Sequence, residues 1–495
     1  MRIYKEFLET RTGTKIPVFL SGRTMESRYN PEKEAENFCS TIEDGFNFFL
    51  VFGIGSGIFL GTLAERFPEA KIIALELFEE DIEFLMESSN LKALKKNPSI
   101  IVTSLKNLSE CLSRNYIPAK YGDLKILEQK AWINENKKYA KEISSVLNKS
   151  IGIISADFSV QSHFGRIWNN NIIKNSMTAE KLHLKRFPPQ NLQSKTAVIV
   201  AAGPTLDKTC SMLNERKNFY IIATDTASQT LISRNIIPDV IISIDGQSIS
   251  SNHFLKKDKD TAPLYAFDLC ANYSAVNKIA EAGNDIIFFS SGHPLAAAVN
   301  ISCNSPLPFL YSGAGTVTIT ALDFAIQAGF KKILILGADF SYSGGKAYAA
   351  GTYLDSLYNK NSFRVQTNEY SFVKLLYRTN IEKLSDSSFT TQILDAYRLS
   401  LEDFLKSNNI LFKKNKDVYE LECQNSSRIK TVQKCTGVVF SLKPFLQKIA
   451  VSNPEESETF LLPYIAWLRT QKKYKGCSYE ELLKLAFNSI VRYNI

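Results

Sequence analysis

Short, almost unbroken apolar runs recur along this chain, each followed by a stretch whose apolar residues return every three or four positions. In the middle third the runs are TAVIVAAG from Thr196, FYIIAT from Phe219, DVIISID from Asp239, LYAFDL from Leu264, DIIFFSS from Asp285 and KILILGAD from Lys332. Helical spacing marks the intervening LDKTCSMLNERK, SQTLISRNI, AVNKIAEAG and VTITALDFAIQAG. Apolar runs without polar alternation belong to strands buried on both faces. Strand–helix alternation of this kind predicts an α/β fold with a doubly wound parallel sheet. Ligands of such sheets sit at the carboxyl ends of the strands. Gly203, Asp225, Ser243, Asp245, Asp268, Ser290, Ser312 and Asp339 lie at or near those ends.

A smaller version of the pattern comes first. FNFFLVFGIGSGIFLGTLAERFPEAKIIALELFEEDIEFL reads as a strand, a glycine turn, a helix and a second strand ending at Glu76, the first half of a Rossmann-like unit. KIPVFLS from Lys15 and SIIVTSL from Ser99 are further strands, and Pro31 opens a helix. The turn Gly53-x-Gly55-x-Gly57 resembles the nucleotide loop of class I methyltransferases, with Glu76 placed for ribose hydroxyls. No methyl-transfer motif follows it, so tight packing of helix on strand is the expected role. QSHFGRIWNNNIIKNS reads as helix and FPPQNLQSK as a linker. Beyond Gly351 the pattern is helical at Phe389–Leu405, ILFKKN looks like a short closing strand, and VVFSLKPFLQKI, PEESETFLLPYIAWLRTQKK and YEELLKLAFNSIVRY are helices. Three domains are expected: Rossmann-like over 1–165, the central doubly wound domain over 166–415, and an α-helical C-terminal domain over 416–495.

Size agrees, since 495 residues suit about three domains. Hydrophobic content of 44% and charged content of 22% are those of a soluble globular protein. The charge of +9 is spread rather than gathered into a tail, which is compatible with anionic ligands and does not demand nucleic acid. Eight cysteines without a C-x-x-C pair, and four histidines, argue against a zinc cluster and for reduced thiols in a cytoplasmic setting. MRIYKEFLETRTGTK lacks the apolar core of a signal peptide. Gly45–Ala64 carries no charge over the length of a membrane span, but four glycines divide it into strand, turn and helix, so no span is expected.

The strand ends hold the candidate chemistry. Gly203-Pro204-Thr205 closes a strand and opens a helix, where backbone N–H groups favour phosphate and glycine admits a ligand. An ordinary strand-to-helix turn would read the same. Asp225, and Ser243 with Asp245, end neighbouring strands, and a carboxylate there either binds a diol, holds a cation or accepts a proton. Helix capping is the plain alternative for Asp225. Ser312 and Thr316 bound another small-residue loop before a helix, suited to phosphate or carboxylate. Asp339 ends the next strand, and the loop after it offers Tyr342, Lys346 and Tyr348, able to hold a leaving phosphate without metal. Asp258-x-Asp260 sits in a charge run and reads as solvated loop. His163, His183, His253 and His293 show no paired spacing; only His293, at a strand end, is held in reserve.

VIVAAGPTLD, ATDTA…PDVIISIDG and GTVTITALDFAIQAGFKKILILGADFSYSGGKAYAAGT together resemble the motility-associated factor family of flagellin glycosyltransferases, as do SRYNPEKEA and FGIGSGIF…IIALELFEED of the first domain. The central motifs are also similar to bacterial sialyltransferases, which use a cytidine-monophosphate sugar and no metal. That similarity implies phosphate contacts from Gly203, Pro204 and Thr205, ribose and base contacts near Asp225 and Ser243, a phosphate or sugar-carboxylate contact from Thr316, and leaving-phosphate contacts from Tyr342 or Tyr348. The family implies transfer of a nonulosonic acid, of pseudaminic or legionaminic type, to Ser/Thr of flagellin in the cytoplasm. The histidine base of the sialyltransferases has no counterpart in SDSSFTTQILD (385–395), leaving Asp245, Asp339, Asp395 or the donor phosphate to take the acceptor proton. Two other readings stay open. Archaeal pterin pyrophosphokinases resemble the central domain and would use ATP with Mg²⁺ on Asp225, Asp245 and Asp339. A flagellin-binding scaffold with a helical C-terminal grip would need no catalysis.

Overall fold

Alternating buried strands and covering helices build two compact units, Met1–Gly165 with Leu462–Ala486, and Arg166–Leu461 with Phe487–Ile495. The computed structural model describes residues 2–94, 96–182, 184–185, 187–188, 195–254, 263–302, 306–313, 315–423 and 440–494. Asp258, Asp260, His183 and Ala314 lie outside them.

In the first unit β1 (Tyr4–Glu9) and β2 (Lys15–Phe19) form an antiparallel ribbon. β3 (Phe48–Phe52), β4 (Lys71–Glu76), β5 (Ile100–Ser104) and β6 (Leu124–Glu128) form a parallel sheet in the order β5-β4-β3-β6. Every residue of β3 is buried, as a central strand apolar on both faces requires. The uncharged stretch around it resolves into β3, the glycine turn and the helix Ile58–Arg66. Among the described residues no helix is long and apolar enough to cross a membrane. The helix Pro31–Ser40 starts where Pro31 and the Asn30 side chain, which accepts from Lys33 N–H at 2.8 Å, define its first turn.

Ala140–Lys181 is one helix of 42 residues, of which those from Arg166 onward count with the second unit. There an asparagine-rich stretch works as an anchor. Asn171 Nδ2 donates to the carbonyls of Gly246 and Cys270, each at 3.1 Å, and Asn175 Nδ2 to those of Leu269 (2.9 Å) and Ala271 (2.8 Å).

The second unit is organised by an eight-stranded sheet. Its strands are β7 (Thr196–Val200), β8 (Phe219–Thr224), β9 (Val240–Ser243), β10 (Leu264–Asp268), β11 (Ile286–Phe289), β12 (Lys332–Leu336) and the hairpin β16 (Leu411–Asn415) and β17 (Val418–Glu422). The order is β11-β10-β9-β8-β7-β12-β17-β16, parallel except for the hairpin. On one face Ala197, Ile199, Ile222 and Ile242 pack beneath the helix Val317–Gln327 and Leu401, Phe404 and Leu405. The alternate residues Val198, Val200, Ile221, Ala223 and Ile241 point the other way and are buried too. The closing strand expected at ILFKKN is β16, and its partner β17 carries the sheet past residue 415. The helices Lys443–Val451, Glu458–Thr470 and Tyr479–Val491 follow, with Leu462–Ala486 counted in the first unit.

Three local expectations change. The helix expected over LDKTCSMLNERK is one α-turn, Leu206–Thr209, followed by 3₁₀ turns. Its first residues are held elsewhere: Asp207 pairs with Arg234 and accepts from Ala350 N–H at 3.1 Å, while Thr209 bonds back to the Thr205 carbonyl. The helix Pro294–Ser302 was not anticipated, because PLAAAVNIS is apolar nearly all round and gives no period. Residues 381–391 form a hairpin, β14 (Ile381–Ser385) and β15 (Ser388–Thr391), beside β13 (Tyr342–Ser343), so the next helix begins at Gln392 with Thr391 as its cap.

Candidate functional site at the sheet switch point

Chain order reverses between β7 and β12. From β7 the chain adds β8 through β11 on one side, then returns to place β12 on the other. The loops leaving β7 and β12 therefore flank the crevice where ligands of open parallel sheets bind. They carry Gly203-Pro204-Thr205 and Asp339.

The structure joins these two loops. Thr205 donates to Asp339 twice, from its backbone N–H at 2.9 Å and from its hydroxyl at 2.5 Å, and Gly203 N–H donates to the Gly337 carbonyl at 2.8 Å. A β-carbon on Gly203 would overlap Asp339 and the Gly337 carbonyl, so only glycine lets the turns meet. Burial raises the Asp339 carboxyl above its ordinary value, against the lowering effect of the Thr205 bonds. Asp339 thus holds the Gly-Pro-Thr turn in place.

The loop after β12 lies over that turn. Ala349 N–H donates to the Ala202 carbonyl at 2.9 Å, and Thr230 donates to the Ala350 carbonyl at 3.1 Å. This brings in Tyr348, a mostly buried phenol pushed above its ordinary value first by burial and then by Tyr342, Asp225, Tyr358 and Tyr397. Tyr342 is raised by burial and drawn down by nearby Arg378. Its strand β13 pairs with β15, so the 385–395 segment lies beside the tyrosine loop. Lys346 is half-buried, and its charge is felt by Glu369.

Asp225 is buried, accepting from Ser243 Oγ at 2.6 Å and from Thr226 N–H at 2.7 Å. The helix cap beside it is Thr224, not Asp225. Asp245 accepts from Gln247 N–H at 2.9 Å; burial, and then Asp225, raises its carboxyl, while His253 lowers it. Asp395 is paired with Arg398 at 2.7 Å. Thr316 is the N-cap of the helix Val317–Gln327, and its hydroxyl makes no cap bond there. Ser312 precedes it on the same loop, partly exposed. That helix crosses back over the strands to feed β12, so its N-terminus opens on the carboxyl side of the sheet.

Four chain regions predicted to bear the site thus meet: the Gly203–Thr205 turn, the Asp225–Ser243 pair, Asp339, and the Tyr342–Tyr348 loop. Asp268 and Ser290 are buried in their own turns, with Cys270 N–H donating to Asp268 at 2.6 Å. His293 is half-buried, accepts from Leu295 N–H and lies edge-on to Trp168, and burial lowers it to about 4, which fits a neutral structural ring. Sequence reading missed Asp207, Arg378, Tyr358 and Tyr397. Asp207 stood within the quoted AGPTLD run, and the other three carried no positional signal.

Residues 170–345 match the family model described as "6-hydroxymethylpterin diphosphokinase MptE-like". An uncharacterized protein of Treponema pallidum (strain Nichols) is 37% identical over 139 residues, 28% of this chain and 49% of that one. A second from the same organism is 32% identical over 149 residues, 30% of this chain and 70% of that protein. The chain spans about half the length of the first of these relatives. Among solved structures, the chain is similar to one described as the MAf glycosyltransferase from Magnetospirillum magneticum AMB-1, at 12% identity and TM-score 0.47, covering 99% of this chain and 91% of that one.

Proposed function

We propose that this chain, which belongs to one family with the Treponema pallidum protein it matches over most of that protein's length, is a glycosyltransferase acting on a nucleotide-sugar donor. The junction at the switch point carries the reading. The turn at Gly203–Thr205 is clamped by Asp339 beneath a loop that sets Tyr348 near Asp225. The resemblance of the same segments to the motility-associated factor family supplies the finer terms. The donor is a cytidine-monophosphate nonulosonic acid, the acceptor a Ser/Thr of flagellin in the cytoplasm, and no metal is required.

In this account Ser312 and Thr316 hold the donor phosphate and carboxylate, the Gly203-Pro204-Thr205 turn, whose own donors are held by Gly337 and Asp339, forms the wall beside them, and Asp225 with Ser243 holds the nucleoside. Transfer inverts the sugar centre through an oxocarbenium-like state. The bond to the phosphate breaks, and its charge is met by backbone N–H groups, Lys346, Tyr342 and Tyr348. Of the carboxylates open to serve as base, Asp339 is engaged by Thr205 and Asp395 by Arg398. Asp245, raised by burial and bonded through Oδ1 to Gln247 N–H, is assigned to take the acceptor proton.

Transfer from the cytidine-monophosphate donor to flagellin, assayed in EDTA, tests this. Removing a donor to the departing phosphate should slow turnover by about a hundredfold, so Tyr348→Phe and Lys346→Ala are both expected to fall steeply. Full activity in both variants would sink the assignment.

The match to the pterin diphosphokinase family model supports a second reading, ATP-dependent pyrophosphoryl transfer with Mg²⁺. It needs strand-end acids for the metal. Here Asp225 is bonded to Ser243 and Thr226, Asp339 to Thr205 and Asp245 to Gln247 N–H, which favours the first reading.

A further inference from the structure

The first unit has a switch point of its own, between β3 and β6, because β4 and β5 lie on one side of β3 and β6 on the other. A cavity of about 650 Å³ opens beside the residues that leave these strands. This is within the range of small-molecule sites. Every residue lining it belongs to Met1–Gly165.

The glycine turn there is not available to a nucleotide. Glu26 Oε1 accepts from Ser56 N–H at 2.6 Å, occupying the position where a phosphate would meet the helix start. Gly55, at φ +63, has no room for a β-carbon because the Glu26 carboxylate fills that space. Glu76 is likewise committed, to Ile54 N–H, Tyr4 and Trp132. An anionic ligand is thus replaced by the chain's own carboxylates.

What remains open is of the opposite sign. Glu26 lines the cavity, is 8% exposed, and its Oε2 is buried without a hydrogen-bond partner. Such an orphan acceptor is costly unless a donor arrives. Glu34 and Glu128 also line the cavity against the single cation Lys130. Phe38 and Phe59, stacked with centroids 4.8 Å apart, supply an apolar wall that also attracts cations.

We propose that this cavity binds a small organic cation, an amine or guanidine whose N–H groups meet the Glu26 carboxylate while its apolar body rests on Phe38 and Phe59. The inference stands apart from the transferase reading, since no residue of the second unit takes part. Burial pushes Glu26 up to about 7, and a bound cation would favour its ionised form.

The test is calorimetric titration of the full chain with 2-phenylethylamine as probe and 3-phenylpropionate as its charge-reversed control. Saturable binding of the amine is expected, with the carboxylate at least about tenfold weaker, and Glu26→Gln should weaken the amine about tenfold by removing a charged acceptor. Glutamine keeps an oxygen for Ser56 N–H, and circular dichroism checks that the variant folds. Should it not fold, Ala35→Leu decides, because it fills the cavity from the helix Pro31–Ser40 and should abolish binding. No binding of the amine, equal binding of both probes, or unchanged amine binding in a folded Glu26→Gln or Ala35→Leu variant would overturn the proposal.

Discussion

Glu76 shows how a fully buried carboxylate is accommodated. Tyr4 donates to it at 2.9 Å, Ile54 N–H at 2.8 Å and Trp132 Nε1 at 2.8 Å, yet burial still raises it from 4.5 to about 7. Between those values the folded chain keeps a proton that the unfolded chain has released. Its contribution is therefore present below about pH 4.5 and lost as pH rises to about 7, by roughly 3 kcal/mol for a shift of this size. Urea unfolding followed by tryptophan fluorescence should show that decline, and Glu76→Gln should remove the part due to Glu76. The same substitution replaces one acceptor oxygen with an N–H₂ donor, which meets the Trp132 Nε1–H when the amide oxygen keeps Tyr4 and Ile54, and should cost about 1–3 kcal/mol. Legibility at this scale was uneven. Asp339, Asp225 and Thr205 stood out because strand ends of a parallel sheet expose polar residues to one crevice. The two hydrogen bonds from Thr205 to Asp339 were not readable, since the residues are 134 positions apart. Nor did Glu26 carry a signal, because its role arises only from contact with Ser56.

At the scale of elements, the six parallel strands were legible from their unbroken apolar runs, which only burial on both faces explains. The short hairpin Ile381–Thr391 was not. Its exposed strand Ile381–Ser385 lacks a buried face, and its partner β15 is fixed by pairing with Tyr342–Ser343 rather than by its own pattern. The one-turn helix after Thr205 was over-read because LDKTCSMLNERK has helical spacing, while tertiary bonds from Asp207 set its course. The junction of elements predicts a mutant phenotype. Gly203→Ala would place a methyl group against Asp339 and the Gly337 carbonyl, forcing the two loops apart. Overpacking of this kind costs about 1–3 kcal/mol. We expect a lowered melting temperature together with loss of nucleotide binding, whereas Ala201→Gly in the same segment should leave binding largely intact. Calorimetric titration with the nucleotide and a thermal melt of each variant check this.

For the whole molecule, two α/β units each present a switch point, and in each a carboxylate of the chain holds the turn, with different side chains around it. The first spends Glu26 and Glu76 on its own glycine turn. The second ties its Gly-Pro-Thr turn to Asp339 and covers it with a loop of tyrosines and a lysine. The doubly wound class followed from strand–helix alternation alone. What the alternation did not convey is that the chain's last helices divide between the units, because that depends on which surface they cover. The central claim, a metal-independent nucleotide-sugar site at the β7/β12 switch point, is tested most directly by the melting temperature of the full chain with cytidine monophosphate in EDTA. A ligand at a hundred times its Kd adds about 2.7 kcal/mol to stability. A clear upward shift is expected, and Asp339→Asn should remove it. No shift with cytidine monophosphate, alongside stabilisation by ATP only when Mg²⁺ is present, would contradict it.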